Sequence, residues 1–202
     1  GLLARRLRLP HVWHIHEITT RPQWFFRIMS SLIARWSTRA VAVSEAVRAH
    51  LVRGSAGNEK CAVIVHNGID PPKSDPNGRA RIRHEFGIRD DEVLIGMIGR
   101  VNWWKGQNAL LDAAMVLIDR GERVRVLLVG DSFRGEEHLF EALMARAQAI
   151  SKPNAVIVQG FRNDVPDIMS ALDVFVLPST EPDPFPTVVL EAMWSGRAIV
   201  GF

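Results

Sequence analysis

The sequence predicts an α/β fold built from two successive units, each with a parallel sheet. Eight short apolar runs rich in β-branched residues alternate with segments of helical periodicity. Strands that alternate with helices of this length are typical of parallel βαβ units. A cluster of Pro, Gly, Asn and Asp over residues 67–78 is typical of turns and linkers, and it divides the runs into two groups.

The strand-like runs lack polar alternation, which favours strands that are buried on both faces. In chain order they are Val12–His16, Ala40–Val43, Ala62–Val65, Val93–Ile98, Val124–Val129, Ala155–Val158, Val174–Leu177 and Ala198–Val200. The predicted helices between them are Trp24–Trp36, Glu45–Val52, Asn108–Asp119, Glu136–Ile150, Val165–Ala171 and Val188–Ser195. We therefore expect one unit over residues 1–67, a linker over 68–78 and a second unit over 79–202.

Both units are expected to be incomplete. The chain has no initiator methionine, and its last strand-like run lies at the very end. We therefore interpret the sequence as a fragment of a longer protein.

The amino-acid composition argues against several classes of protein. The 202 residues are 47% hydrophobic and 23% charged, which is ample for packed cores. We find no membrane-spanning run of roughly 18 to 20 apolar residues and no signal peptide, and the single cysteine, Cys61, excludes an internal disulfide. A cytoplasmic location is expected. The net charge of +3 suits phosphate-bearing ligands or an anionic membrane surface, and it is too small to indicate nucleic acid.

One helix pattern allows two interpretations. The segment Trp24–Trp36 carries an apolar stripe, with three arginines off that stripe. The stripe consists of Phe25, Ile28, Met29, Leu32, Ile33 and Trp36, and the arginines are Arg21, Arg27 and Arg35. Peripheral contact with a membrane is one interpretation. The core face of a helix that packs on a sheet is the other, and it is favoured.

The first candidate site element is a loop with two cations. Gly99 ends a strand, Arg100 follows it, and Lys105 and Gly106 precede a helix. Glycine allows close approach to a ligand, and a helix amino terminus offers N–H donors that suit phosphate. Arg100 can contact two phosphate oxygens, and Lys105 adds a point charge. The alternative is a pair of solvated surface cations.

The second candidate site element contains two acidic residues. Asp183 follows the loop after a strand, and Glu191 lies one turn into the next helix. Carboxylates in such positions can accept hydrogen bonds from sugar hydroxyls, or they can simply complement a helix dipole. Phe185 and Thr187 would offer backbone N–H groups to a sugar, whereas Pro186 cannot. Glu181, two positions before Asp183, could take the role of the first carboxylate instead. The pair Glu181 and Asp183 has metal-motif spacing, but we predict no metal.

These residues resemble the retaining glycosyltransferases of family 4, which have the GT-B fold. The family's Gly-Arg-x4-Lys-Gly segment matches the four residues of the cation loop, and its E-x7-E motif matches Asp183 and Glu191, with Asp in place of the commoner first Glu. Supporting matches are Val129-Gly130-Asp131, Gly160-Phe161-x-x-Asp164-Val165-Pro166, Asp173-Val-Phe-Val-Leu-Pro178-Ser179 and Asn67-Gly68-Ile69-Asp70. The resemblance implies a GT-B-like pair of Rossmann-type units, an acceptor-side unit over 1–67 and a nucleotide-sugar unit over 79–202.

The same resemblance points to His16 as a residue near the acceptor and the transferred sugar. His14 lies on the same strand face and could substitute. A structural histidine at a strand end is the alternative.

The resemblance implies transfer of a hexose-type sugar from a nucleoside diphosphate sugar to an acceptor hydroxyl with retention of configuration. Arg100 and Lys105 would stabilise the leaving diphosphate, Glu191 the ribose and Asp183 the donor sugar. The partners implied are the donor, a sugar or lipid-linked acceptor and no nucleic acid, with peripheral membrane contact and a homo-oligomer as open possibilities. No cofactor is expected. A GT-B epimerase and a non-catalytic nucleotide-sugar-binding fragment are the alternative functions.

Overall fold

The computed structural model describes residues 1–150 and 152–201. It divides into two compact units. Unit 1 contains Gly1–Gly68 together with the short segment Pro182–Pro186. Unit 2 contains Ile69–Glu181 and the described chain from Thr187 onward.

Unit 1 is a small α/β unit with a three-stranded parallel sheet. The strands are β1 (Val12–Ile15), β2 (Arg39–Ala42) and β3 (Ala62–Ile64), in the order β1-β2-β3. Its helices are α1 (Leu2–Arg6), α2 (Gln23–Trp36), α3 (Glu45–Gly54) and a short 3₁₀ helix (Ala56–Lys60).

A buried polar cluster joins the helices of unit 1. Ser30 of α2 donates from Oγ to the carbonyl of Leu51 in α3 at 2.7 Å. Asn58 donates from Nδ2 to Ser30 Oγ at 2.8 Å. Ser30 and Asn58 are fully buried, so these bonds satisfy groups that would otherwise lose water without compensation. The cluster fixes α2 against α3.

Unit 2 has a five-stranded sheet with every strand parallel to its neighbours. The strands are β4 (Val93–Ile98), β5 (Val124–Val129), β6 (Val156–Gln159), β7 (Val174–Leu177) and β8 (Ala198–Gly201), in the order β6-β5-β4-β7-β8. The helices are α4 (Gly78–Glu85), α5 (Gln107–Asp119), α6 (Glu137–Gln148), α7 (Val165–Ala171) and α8 (Thr187–Trp194).

The sheet of unit 2 has a hydrophobic core on each face. Leu127 and Val129 of β5 belong to one core, whereas Val126 and Leu128 belong to the other. All six residues of β5 are buried. This explains the absence of polar alternation in the sequence, since a strand covered on both faces has no solvent side.

An ion-pair network joins α4 to α7. Arg81 contacts Asp164 at 2.8 Å and Asp167 at 2.7 Å, and Arg162 also contacts Asp164 at 2.8 Å. The guanidinium of Arg162 holds the pKa of Asp164 well below its usual range. The network therefore keeps Asp164 charged at the start of α7.

The eight predicted strands and six predicted helices are present, with no boundary shifted by more than two residues. Three elements were not predicted: α1, the 3₁₀ helix and α4. Helix α4 carries three arginines and one fully buried apolar residue, Ile82, so its sequence has no apolar stripe. Its burial depends on contacts with α7.

The favoured interpretation of α2 as a core-facing stripe is wrong for two of its residues. Phe25 and Ile28 are 45% and 52% exposed. The buried residues of the helix are Ser30 and Ile33, and of these only Ile33 belongs to the predicted stripe. Within the described chain, no helix is both long enough and apolar enough to cross a membrane.

Candidate functional site

The candidate site in unit 2 lies at the carboxyl ends of adjacent strands. Because β4, β5 and β7 are parallel neighbours, the loops that follow them emerge at the same edge of the sheet. Parallel α/β sheets bind ligands at this edge. Gly99 directly follows β4, and α5 begins at Gln107, so residues 99–106 form a loop at this edge, here called the cation loop.

Side-chain hydrogen bonds fix the backbone of the cation loop. Asn102 accepts through Oδ1 from the backbone N–H groups of Trp104 at 3.2 Å and Lys105 at 2.9 Å. Gln107 donates from Nε2 to the carbonyl of Arg100 at 2.8 Å. Thr180 donates from its backbone N–H to the carbonyl of Trp104 at 2.7 Å. The backbone that carries both cations is therefore held at several points.

Aromatic rings pack against both cations. The guanidinium carbon of Arg100 lies 3.6 Å from the centroid of the Phe133 ring. The Lys105 ammonium lies 4.4 Å from the centroid of the Trp104 ring. A guanidinium stacked by its face keeps its N–H edge directed sideways, where it can contact two oxygens of one phosphate.

Two glycines allow the loops at this edge to approach each other closely. A Cβ placed on Gly106 would lie 1.7 Å from the Pro178 carbonyl oxygen, and one on Gly130 would lie 2.0 Å from the Gly99 carbonyl oxygen. Gly106 also has a φ of 80°, which is in the left-handed region that favours glycine. Glycine at these positions is required by the packing of the loops after β4, β5 and β7.

Three buried polar atoms at this edge have no protein hydrogen-bond partner within the described residues. They are Gln107 Oε1, Ser132 Oγ and Ser179 Oγ, and they belong to the segments that follow β4, β5 and β7. A fourth such atom, Arg125 Nε, lies near the start of β5. Buried polar atoms are normally paired, so three unpaired atoms at one edge indicate a place suited to a polar ligand or ordered water.

Glu191 is the fifth residue of α8 and is half-buried. Burial raises the pKa of its carboxyl above the ordinary value. Thr187 is the first residue of the same helix, so its backbone N–H has no partner in the preceding turn of helix. The start of α8 thus has a backbone N–H without a partner inside the helix, and a partly desolvated acid lies one turn further on.

We predict that Glu191→Gln stabilises the folded chain at neutral pH. A raised pKa means that the folded state binds a proton more readily than the unfolded state. This stability is present below the unfolded pKa and is lost as the pH rises through the folded pKa. Urea unfolding of both proteins across pH 4 to 8 should show a stability difference that grows with pH. A pH-independent difference would contradict this prediction.

The loop that carries Asp183 belongs to unit 1. Phe185 stacks on His66 with ring centroids 5.0 Å apart and planes 19° apart, and its carbonyl accepts a hydrogen bond from Asn67 Nδ2 at 3.2 Å. Asp183 and Pro186 are half-buried, whereas Glu181 lies in unit 2 and is exposed. The structure therefore groups Gly99, Arg100, Lys105, Thr187 and Glu191 in one unit and Asp183, Phe185 and Pro186 in the other.

The two candidate histidines of unit 1 interact directly. His16 Nε2 lies 3.0 Å from His14 Nδ1, which confirms that the rings share one side of the strand. Both line a pocket of about 360 Å³ whose other walls come mainly from α2 and α3. Its lining includes Phe25, Phe26, Met29, His50 and Leu51. Among the described residues, no cluster of His, Cys, Asp and Glu is arranged to hold a metal ion.

Several residues that shape these sites were not predicted from the sequence. Asn102 carries a local signal, since an Asn two or three residues before a turn often caps its N–H groups. Phe133, Gln107, His66 and Asn67 act through contacts with residues distant in the sequence or with backbone atoms, and they carry no comparable signal.

Comparison with known proteins gives two matching family models. The model described as glycosyl transferases group 1 matches residues 78–202, and the model described as glycosyltransferase family 4 matches residues 1–73. The chain is 29% identical over 205 residues to the putative glycosyltransferase EpsF of Bacillus subtilis (97% of this chain, 52% of that protein). It is 26% identical to the 2-deoxystreptamine glucosyltransferase of Streptomyces kanamyceticus (84% of this chain, 45% of that protein).

Solved structures also match this chain over almost its whole length. The crystal structure of Anabaena Alr3699/HepE in complex with UDP-glucose matches with a TM-score of 0.87 and 29% identity, covering 99% of this chain and 55% of that one. A sucrose-phosphate synthase from Thermosynechococcus elongatus, at 20% identity and a TM-score of 0.77, supports the fold alone. The GT-B-like fold class predicted from the sequence is confirmed. The chain spans about half the length of the curated relatives it matches.

Proposed function

The chain belongs to the glycosyl transferases group 1 family, and from this premise we propose that the intact protein transfers a sugar from a nucleoside diphosphate sugar to an acceptor hydroxyl with retention of configuration. The observation that carries the proposal is the cation loop at the carboxyl edge of the unit 2 sheet. There, two cations precede the amino terminus of α5, and three buried polar atoms have no protein partner among the described residues.

In the proposed reaction, the bond between the sugar C1 and the diphosphate oxygen breaks, and a bond to the acceptor oxygen forms on the same face of the sugar. The acceptor hydroxyl proton leaves with the diphosphate. Negative charge grows on the departing diphosphate, and fixed cations stabilise such a transition state more than the ground state. We assign this role to Arg100 and Lys105, with close approach of the ligand to the backbone at Gly99, where a Cβ would have no atom within 4 Å.

The other proposed contacts with the nucleotide-sugar donor follow from the hydrogen-bonding capacity of each residue. Glu191 would accept hydrogen bonds from the ribose diol, and Asp183 would accept them from the donor sugar. The backbone N–H groups of Phe185 and Thr187 would donate to that sugar, whereas Pro186 has no N–H to offer. His16, hydrogen-bonded to His14, would position the acceptor and the transferred sugar. In this scheme residues 1–67 form the acceptor-side unit and residues 79–202 the nucleotide-sugar unit, with no cofactor or metal required.

Calorimetric titration of the chain with UDP, GDP and ADP tests the donor site. We expect saturable binding of one nucleotide, and UDP is favoured because the HepE relative was crystallised with UDP-glucose. Glu191→Ala should weaken binding by about 10-fold, the value of one charge-assisted hydrogen-bonded group. Glu141→Ala removes an exposed carboxylate from α6 and serves as the matched control.

Three outcomes separate the alternatives. Equal weakening by both substitutions would contradict the role of Glu191. No binding by a folded chain would contradict a self-sufficient nucleotide site in unit 2. Binding of a sugar nucleotide by this chain, with neither hydrolysis nor transfer, would favour the alternative of a non-catalytic nucleotide-sugar-binding fragment.

A further inference from the structure

The segment that carries Asp183 has a stiff backbone. Residues Pro182–Pro186, here called the proline segment, have a proline at every second position, so Asp183 and Phe185 each lie between two prolines. The ring of each proline fixes its own φ and confines the preceding residue to extended conformations. A contact that holds Phe185 therefore also restricts the position of the Asp183 carboxyl, two residues away.

Unit 1 holds the proline segment at Phe185 in three ways. The Phe185 ring stacks on His66, with ring centroids 5.0 Å apart. The ring also packs against a buried cluster that consists of Ala42, Val43 and Val47. The Phe185 carbonyl accepts a hydrogen bond from Asn67 Nδ2 at 3.2 Å. The side chain and the backbone of Phe185 are therefore both fixed, the backbone at the peptide that joins it to Pro186.

The His66 ring is itself held in place. Its Nδ1 lies 3.0 Å from the carbonyl oxygen of Val43, which can only accept, so Nδ1 carries the proton and donates it. Val65, the preceding residue, donates from its backbone N–H to the carbonyl of Ala42 at 3.0 Å. The chain is thus anchored up to His66, and the ring offers Phe185 a support of fixed orientation.

This support lies at the same edge of the unit 1 sheet as His16. Because β1, β2 and β3 are parallel neighbours, the residues that follow them emerge at one edge. His16 directly follows β1, Val43 directly follows β2, and His66 lies two residues beyond β3. Ile15 packs against the same buried cluster as Phe185. The edge where parallel sheets bind ligands therefore gathers His16 and the proline segment.

The side chains assigned to the nucleotide and to the transferred sugar belong to different units. Arg100, Lys105 and Glu191, assigned to the diphosphate and the ribose, belong to unit 2. Asp183 and His16, assigned to the transferred sugar, belong to unit 1. The contacts that fix the proline segment can therefore influence the sugar separately from the nucleotide.

We propose, on the basis of the function proposed above, that His66 and Asn67 are positioning residues for the transferred sugar. They hold the proline segment at the carboxyl edge of the unit 1 sheet, and they thereby direct the Asp183 carboxyl and the Phe185 N–H toward the sugar. Recognition of the sugar then depends on two unit 1 side chains that do not touch it, whereas recognition of the nucleotide depends on unit 2.

Calorimetry of the 202-residue chain with UDP and with UDP-glucose tests this proposal. In H66A/N67A the Kd for UDP-glucose should rise by about 10-fold, because the sugar must then order a loosened segment. The Kd for UDP should stay within about 2-fold of the parent value. His66→Phe keeps a ring for the stack and should lose less affinity for UDP-glucose than His66→Ala. A parent chain that prefers GDP or ADP calls for the same comparison with GDP-glucose or ADP-glucose.

N77A/H84A is the matched control. It removes the same two side-chain types from exposed positions in unit 2, just before α4 and near its end. The Asn77 side chain forms no hydrogen bond that caps α4. Both Kd values should therefore equal those of the parent chain.

The outcomes distinguish failure of this inference from failure of the proposed function. A parent chain that binds UDP, together with H66A/N67A binding UDP-glucose as tightly as the parent does, would overturn only the inference. Equal weakening of both ligands would also overturn it, since a purely structural role has that effect, and so would a selective loss in N77A/H84A. A folded parent chain that binds none of UDP, GDP and ADP would overturn the inference and the proposed nucleotide site together.

Discussion

Arg100→Ala is expected to lower kcat of the intact enzyme by about 100-fold, with a smaller effect on KM for the donor. The guanidinium lies on the Phe133 ring, and the carbonyl of Arg100 is held by Gln107, so the cation is already positioned before substrate binds. Preorganised charge favours the transition state, in which the diphosphate carries more negative charge than in the ground state. Steady-state kinetics with the sugar nucleotide measure both constants, and Lys105→Ala should show the same pattern.

Arg120→Ala is the matched control for Arg100→Ala. It removes an exposed arginine from the opposite end of α5, at the residue that follows the helix. Equal kinetic losses in the two variants would show that general electrostatic attraction of the donor is responsible. An unchanged kcat in Arg100→Ala would contradict the role of this residue in the proposed chemistry.

The strands and helices that were predicted correctly are those whose pattern of apolar residues lies within the element itself. The buried strands β4 and β5 are continuous apolar runs because cores cover both faces, and such runs are visible without a structure. The position of the cation loop between a strand and a helix was predicted in the same way and is confirmed, whereas its role in binding phosphate stays a prediction. The helix α4 was not predicted because it packs against α7, and the ion-pair partners of its Arg81 lie more than 80 residues away.

Long-range contacts also explain what the sequence could not show about the candidate sites. The motif spacing placed Asp183 and Glu191 eight residues apart, but nothing local predicts that Pro182–Pro186 belongs with unit 1. That grouping depends on the stacking of Phe185 on His66 and on the hydrogen bond from Asn67. Likewise, the stripe on α2 was assigned to the core from periodicity alone. Only the position of the helix on the sheet decides that Ile33 is buried and Ile28 is exposed.

Gly106→Ala is expected to lower the free energy of unfolding by roughly 2–4 kcal/mol and to abolish nucleotide binding by the chain. The new methyl group would lie 1.7 Å from the Pro178 carbonyl oxygen, and the backbone φ of 80° is unfavourable for alanine. Relief of this overlap requires the cation loop to move away from the segment after β7. Urea unfolding measures the stability loss, and calorimetry with UDP measures the binding loss.

Gly121→Ala separates the two causes of that loss. Gly121 follows α5 with nearly the same φ, 79°, but a Cβ there would have no atom within 4 Å. It should therefore cost only the backbone strain, about 1 kcal/mol, and leave nucleotide binding intact. If the two variants lose equal stability, strain at positive φ accounts for the whole effect and the contact with Pro178 does not hold the cation loop in place. If Gly106→Ala loses much more, as expected, the glycine is required because the segment after β7 packs directly against the start of α5, which places the cations at the sheet edge.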